Sequence, residues 1–162
     1  FPLSHSNDMI SFWTSRDDTN KDSKQYDYQS VYTVNTDGTN LTKRFQIEEM
    51  TNESVGIGIF PAISPDGNTY VFMMNLDLYS INMDGSNLKN LTKSDSIGEY
   101  YPFFSDKEEN RIYFCSEDTI SSGLNIYSID LEGNNKKQHT SFEGEEGEIL
   151  FPKFKPTLPN KK

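Results

Sequence analysis

The chain is short of cysteine, of basic residues and of long apolar runs, and each shortage removes a class of protein. Cys115 is the only cysteine among 162 residues, so no internal disulfide can staple the fold. It ends the apolar run Ile112-Tyr113-Phe114-Cys115, where a free thiol is expected to pack as a small hydrophobe. Lys and Arg number 15 against 25 Asp and Glu, a net charge of −10. Nucleic-acid binding needs a basic face, which this balance argues against. No stretch approaches the roughly 20 apolar residues of a membrane helix, and nothing has the charged-then-apolar layout of a signal peptide. Helical periodicity nowhere outlasts a turn or two. The chain opens at Phe1 rather than Met, which reads as a processed product or a fragment.

Catalytic signatures are also missing. There is no Gly-x-Ser-x-Gly elbow, no phosphate-binding glycine loop and no locally supported Ser/His/Asp set. His5 and His139 have no Cys or Glu at metal-ligand spacing, so no metal site and no cofactor are expected. Asn35-Thr36-Asp37-Gly38-Thr39-Asn40 and Asn82-Met83-Asp84-Gly85-Ser86-Asn87 echo part of a calcium loop. Both lack the downstream bidentate Glu of an EF-hand, and hairpin geometry accounts for them without an ion. Paired carboxylates such as Glu48-Glu49 and Glu145-Glu146 lie in polar stretches, with nothing to desolvate them toward catalytic pKa values. The chain is therefore expected not to be an enzyme.

What is present is repetition. Phe1-Pro2, Phe60-Pro61, Tyr101-Pro102 and Phe151-Pro152 each open a unit, the prolines lying 59, 41 and 50 residues apart. A second strand aligns without gaps as Met9–Trp13, Thr69–Met73 and Arg111–Cys115, with Phe12, Phe72 and Phe114 at one position. A third aligns as Val31–Val34, Leu78–Ile81 and Ile126–Ile129, with Tyr32, Tyr79 and Tyr127 equivalent. Apolar residues on both sides of the alternation predict strands covered on both faces, and the six aromatics are expected to be buried between neighbouring units. Asp37-Gly38, Asp84-Gly85 and Glu132-Gly133 follow as turns, Gly supplying the positive φ of a tight hairpin. A fourth strand ends near Phe45, Thr92 and Thr140.

Units of four strands that cannot bury both faces alone predict an all-β chain, a β-propeller of four-stranded antiparallel blades. Three blades are complete: residues 1–59, 60–100 and 101–150. Residues 151–162 supply one extra inner strand, Phe151–Lys155, and a tail. The second unit, Phe60-Pro61-Ala62-Ile63-Ser64-Pro65-Asp66-Gly67 through Leu78-Tyr79-Ser80-Ile81, Asp84-Gly85-Ser86-Asn87 and Leu91-Thr92, resembles the WD40-like repeat of TolB-type propellers. Unit one departs from that pattern at Ser4–Asp8 and unit three at Ser105–Asn110.

In such blades the connections alternate between two rims. One rim receives only tight turns. The other receives every long segment, residues 16–28, 46–59, 93–100, 116–123 and 142–150. These five hold 15 acids and four bases, a net −11, while the remainder sums to +1. Binding residues favour loops carried on a rigid scaffold, and clustered acids attract a basic surface. The partner-binding candidates are Asp17, Asp18, Tyr26, Tyr28, Glu48, Glu49, Asp95, Glu99, Glu117, Asp118, Glu143, Glu145, Glu146 and Glu148, the two tyrosines as stacking groups.

The resemblance implies a non-catalytic module that binds another protein in a bacterial cell envelope or periplasm. Alternatives are a propeller that gates a separate hydrolase, as in prolyl-oligopeptidase-type peptidases, and a carbohydrate-binding or lyase propeller. The expected partner is a protein with a basic surface, with neither nucleic acid nor membrane insertion involved. Three blades fall short of the four or more a closed ring needs, so further blades are expected from a longer chain or from a second copy.

Overall fold

A computed structural model describes residues 3–6, 8–14, 30–46, 61–94, 98–105, 110–117 and 124–141. Within them there are twelve strands and no helix. Blade one comprises β1 (Leu3–Ser6), β2 (Met9–Thr14), β3 (Ser30–Asn35) and β4 (Thr42–Gln46). Blade two comprises β5 (Ala62–Ile63), β6 (Thr69–Met74), β7 (Asp77–Asn82) and β8 (Lys89–Asn90). Blade three comprises β9 (Glu99–Phe104), β10 (Arg111–Glu117), β11 (Leu124–Asp130) and β12 (Lys137–Gln138). Each sheet is a four-stranded antiparallel meander in chain order. The extra strand expected at Phe151–Lys155 lies outside the described residues.

The alternation along the middle strands explains why the sheets stack. In β6, Tyr70, Phe72 and Met74 face one way and join Trp13, Val31 and Phe45 of blade one. Val71 faces the other way and, with Leu78 and Leu91, joins Ile112, Phe114 and Ile129 of blade three. Each blade thus has an upstream face toward the preceding blade and a downstream face toward the next.

Upstream faces share one motif. Phe12 pairs with Tyr32 across β2 and β3, Phe72 with Tyr79, and Phe114 with Tyr127. The rings stack at 5.9, 6.2 and 5.9 Å with interplanar angles of 20°, 25° and 26°. Phe72 and Phe114 are fully buried, whereas Phe12 and the three tyrosines are only half-buried. The expectation that all six are buried is corrected for Phe12, Tyr32, Tyr79 and Tyr127; the Tyr79 hydroxyl, for one, reaches out to accept from Asn90 Nδ2 at 3.1 Å, and Phe12 differs for another physical reason. Phe72 is sealed by blade one and Phe114 by blade two, while Phe12 points upstream of blade one, where no described blade lies.

The turns are built from their own side chains. Gly38, Gly85 and Gly133 hold φ of +84°, +86° and +76° at one position of the third-to-fourth hairpin. In blades one and two, Asp37 and Asp84 accept the backbone N–H and hydroxyl of Thr39 and Ser86 at 2.6–2.9 Å. In blade three Asp130 does this work, accepting the N–H groups of Glu132 and Asn134 at 3.0 and 2.7 Å. The Thr after each last strand of blades two and three has a definite task. Thr92 and Thr140 accept the N–H of Leu78 and Ile126 at 3.0 and 2.9 Å, locking the fourth strand to the third.

Two irregularities complete the frame. Tyr100 pairs with Cys115 and Phe103 with Tyr113, so Tyr101 and Pro102 together oppose Phe114. This β-bulge accommodates a proline that cannot donate to the ladder and puts Tyr101 at φ +57°. Between β6 and β7, Asn75 and Leu76 form a two-residue turn with φ of +51° and +71°, the pattern of a type I′ hairpin.

Two substitutions test this frame. Phe72→Ala should lower unfolding free energy by about 3–5 kcal/mol in urea titration, the usual cost of emptying a buried phenylalanine site. Leu76→Gly should raise it by about 1 kcal/mol, because Leu76 is 43% exposed and Gly relieves the left-handed backbone.

Candidate functional site

Most of the acidic-rim candidates lie outside the described residues: Asp17, Asp18, Tyr26, Tyr28, Glu48, Glu49, Asp95, Asp118, Glu143, Glu145, Glu146 and Glu148. Glu117 closes β10 and is half-buried. Glu99 is corrected. It was expected on a loop, but the bulge at Tyr101-Pro102 carries β9 back to include it, and its side chain has no exposed surface. Its backbone N–H donates to Leu76 O at 2.9 Å. Its Oε1 accepts from Lys136 Nζ at 2.9 Å, and that ammonium also lies 5.4 and 5.2 Å from the Phe114 and Tyr127 ring centres. A carboxylate so enclosed is a strut between blades two and three rather than a contact for a partner.

Burial pushes the Glu99 carboxyl above its ordinary value of 4.5, with hydrogen bonding and the charge of Lys136 opposing. Asp77, at the same rim, has the reverse balance. Burial would raise it, but hydrogen bonds from Asn90, Ser94 and Thr92 outweigh that and hold it below 3.8. Asp37, Asp66 and Asp84 are lowered by hydrogen bonds within their turns. Those carboxylates are therefore spoken for by the hairpins. Among the described residues no three His, Cys, Asp or Glu side chains converge as a metal site would require.

The opposite rim has a feature the sequence did not signal. An open cleft of about 490 Å³ is lined by Met9, Arg44, Gly67, Asn68, Asn82, Met83 and Asp84, where the turns of blades one and two meet. Arg44 is held in place by Nε donating to Thr33 Oγ1 at 2.7 Å. The cleft offers the Arg44 cation, two amides and the Asp84 carboxylate, the last already accepting hydrogen bonds from Ser86. Its residues are scattered from 9 to 84, so no local motif could have exposed it.

His139 and Ser128 are also brought together, the Ser128 hydroxyl 2.7 Å from His139 Nε2. Ser128 has no exposed surface, so a substrate cannot reach that hydroxyl. The contact straps the chain after β12 to β11. The Cys115 thiol is 9% exposed and raised by burial, which fits a packing role.

No family model matches the chain, and no curated protein matches it. Among solved structures it is similar to one described as a TolB of Agrobacterium tumefaciens, with a TM-score of 0.59 and 19% identity over 85% of this chain and 49% of that one. The acylaminoacyl peptidase of Pyrococcus horikoshii aligns with a TM-score of 0.46 and 15% identity over 86% of this chain and 25% of that one. The first likeness establishes a propeller-like fold. The chain spans about half the length of the TolB structure it matches.

The opposed carboxyl shifts give a pH test. A raised folded-state pKa means that Glu99 contributes most below about pH 4.5 and progressively less as pH rises through its folded value. Glu99→Gln should therefore gain stability relative to the unaltered protein on going from pH 4 to pH 7, read from urea midpoints. A relative loss over that interval would show that burial does not raise the Glu99 carboxyl. The depressed turn aspartates act oppositely, their contribution being lost as pH falls below about 3.8.

Proposed function

We propose that this chain is a non-catalytic propeller module that binds a protein with a basic surface, in the setting of a bacterial cell envelope. The feature that carries this reading is the division of charge in the sequence: the five long segments expected on one rim hold a net −11 against +1 for the rest of the chain, and they remain strongly acidic with the buried Glu99 set aside. The propeller-like fold supports it because binding residues favour the connecting loops of a rigid frame. The TolB-like repeat texture around residues 60–92, and the TolB structure it resembles, support the envelope setting. Steering by such a rim acts on the rate of encounter and is weakened by salt.

The experiment compares the unaltered chain with a variant in which Glu143, Glu145, Glu146 and Glu148 are changed to Gln. Binding of envelope proteins, or of a basic model protein, is followed by surface plasmon resonance from low to high salt. The expected result is an association rate reduced about tenfold at low salt, with a flatter salt dependence. An interface mapped by cross-linking wholly to the tight-turn rim around Asp66 and Asp84 would overturn the reading.

A further inference from the structure

The cleft between the turns of blades one and two holds a cation that the fold does not neutralise. Arg44 donates through Nε to Thr33 Oγ1 at 2.7 Å and through Nη2 to the Met9 sulfur at 3.9 Å. No carboxylate among the described residues pairs with it, in a chain with 25 acids against 15 bases. Thr33 is itself buried, so its bond fixes one edge of the guanidinium. Nη1 is left unused, and Nη2 meets only a weak thioether acceptor.

The rest of the lining supplies acceptors. Asn68 donates its side-chain nitrogen to Asp66 Oδ2 at 3.0 Å, and Asn82 donates its own to Ser86 Oγ at 2.9 Å. Asp66 can only accept, and the Ser86 hydroxyl proton is already given to Asp84, so both amides must turn nitrogen to the hairpin and keep their oxygens for other donors. Asp84 takes both Ser86 bonds on Oδ1 and has Oδ2 to spare. Arg44 and Asp84 thus share one cleft without pairing. Met9 and the buried Met83 add apolar wall, and Gly67, at φ +76°, puts no side chain into the opening. A volume of about 490 Å³ is ample for one amino-acid residue.

We propose that this cleft binds an α-carboxylate with N–H donors on the adjacent nitrogen, the group shared by a free amino acid and the C-terminal residue of a peptide. The carboxylate lies on the free end of the Arg44 fork, which suits two parallel hydrogen bonds. The N–H donors reach an asparagine Oδ1 and Asp84 Oδ2, and an apolar side chain rests on the two methionines. A simple inorganic anion would satisfy Arg44 alone and meet Asp84 as a like charge. A ligand without a carboxylate would leave the guanidinium unpaired. The cleft is on the rim away from the acidic segments, so this binding is separate from the role proposed for them.

Proton–nitrogen NMR of the Arg44 Nε–H and of the Asn68 and Asn82 side-chain amides tests this, with L-leucine, N-acetyl-L-leucine, L-leucinamide and inorganic phosphate as probes. The expected result is saturable shifts at millimolar concentration with a carboxylate-bearing leucine probe, and none with leucinamide, which lacks the carboxylate. Leucine binding in preference to N-acetyl-leucine supports the proposal with a free amino acid as the source. Binding of N-acetyl-leucine at least as tightly supports it with a peptide C-terminus. Arg44→Gln, followed on the asparagine amides, should weaken binding about tenfold through loss of the charged fork. Arg44→Lys, which keeps the charge and loses the fork, replaces it should Arg44→Gln lose the strand signal in circular dichroism. The proposal is overturned if neither carboxylate probe saturates, if leucinamide or phosphate binds as well as they do, or if a folded Arg44 variant binds them unchanged.

Discussion

Everything in this fold depends on a four-stranded sheet having two apolar faces and no means of covering either from within. Tyr70, Phe72 and Met74 lie on one side of β6 and Val71 on the other, so blade two is stable only as the filling between its neighbours. The Phe–Tyr stack repeated in each blade is the centre of that arrangement. The tyrosine stacks on the phenylalanine ring, and in blades two and three the preceding blade closes over the phenylalanine. Stability then accrues by neighbour contacts, as in repeat proteins generally. The state of a given aromatic depends less on its own strand than on whether a blade stands opposite.

The acidic groups divide into two populations with different duties. Asp37, Asp84 and Asp130 are consumed by hairpins, their oxygens accepting backbone N–H groups one turn away. Glu99 is buried and pairs with the half-exposed Lys136 within blade three, where burial works against the charge and the ammonium works for it, while its backbone N–H ties that blade to Leu76 of blade two. Counting acids along the sequence cannot separate these from acids that project into solvent. That distinction needs the hydrogen bonds.

The repeat made the architecture readable. Evenly placed aromatics, Asp-Gly turns and double-sided alternation leave few arrangements other than stacked four-stranded sheets, and the strands fall where the pattern places them. What the sequence hid was relational. Phe12 has the same neighbours in its own blade as Phe72, and nothing local distinguishes them. Glu99 follows a polar stretch, yet the bulge forced by Pro102 draws it into β9. Asn75-Leu76 carries no glycine to mark a left-handed turn. The cleft around Arg44 gathers residues from the facing sides of blades one and two, which only the stacking brings together.

The two seams between blades are closed unequally at the tight-turn rim. Between blades two and three, Lys89 reaches Glu132 at 2.6 Å, and Gly133 lies so near Leu91 that an added Cβ would come within 2.7 Å of its carbonyl oxygen. Between blades one and two the same rim gapes into the Arg44 cleft. Among the described residues, blades two and three are thus the more closely joined at this rim, while blades one and two face each other there across the cleft. Under a pulling force, or in the rare openings that admit deuterium to strand amides, the break should begin at the Arg44 gap and release β2 and β3 while β6 and β10 remain shut.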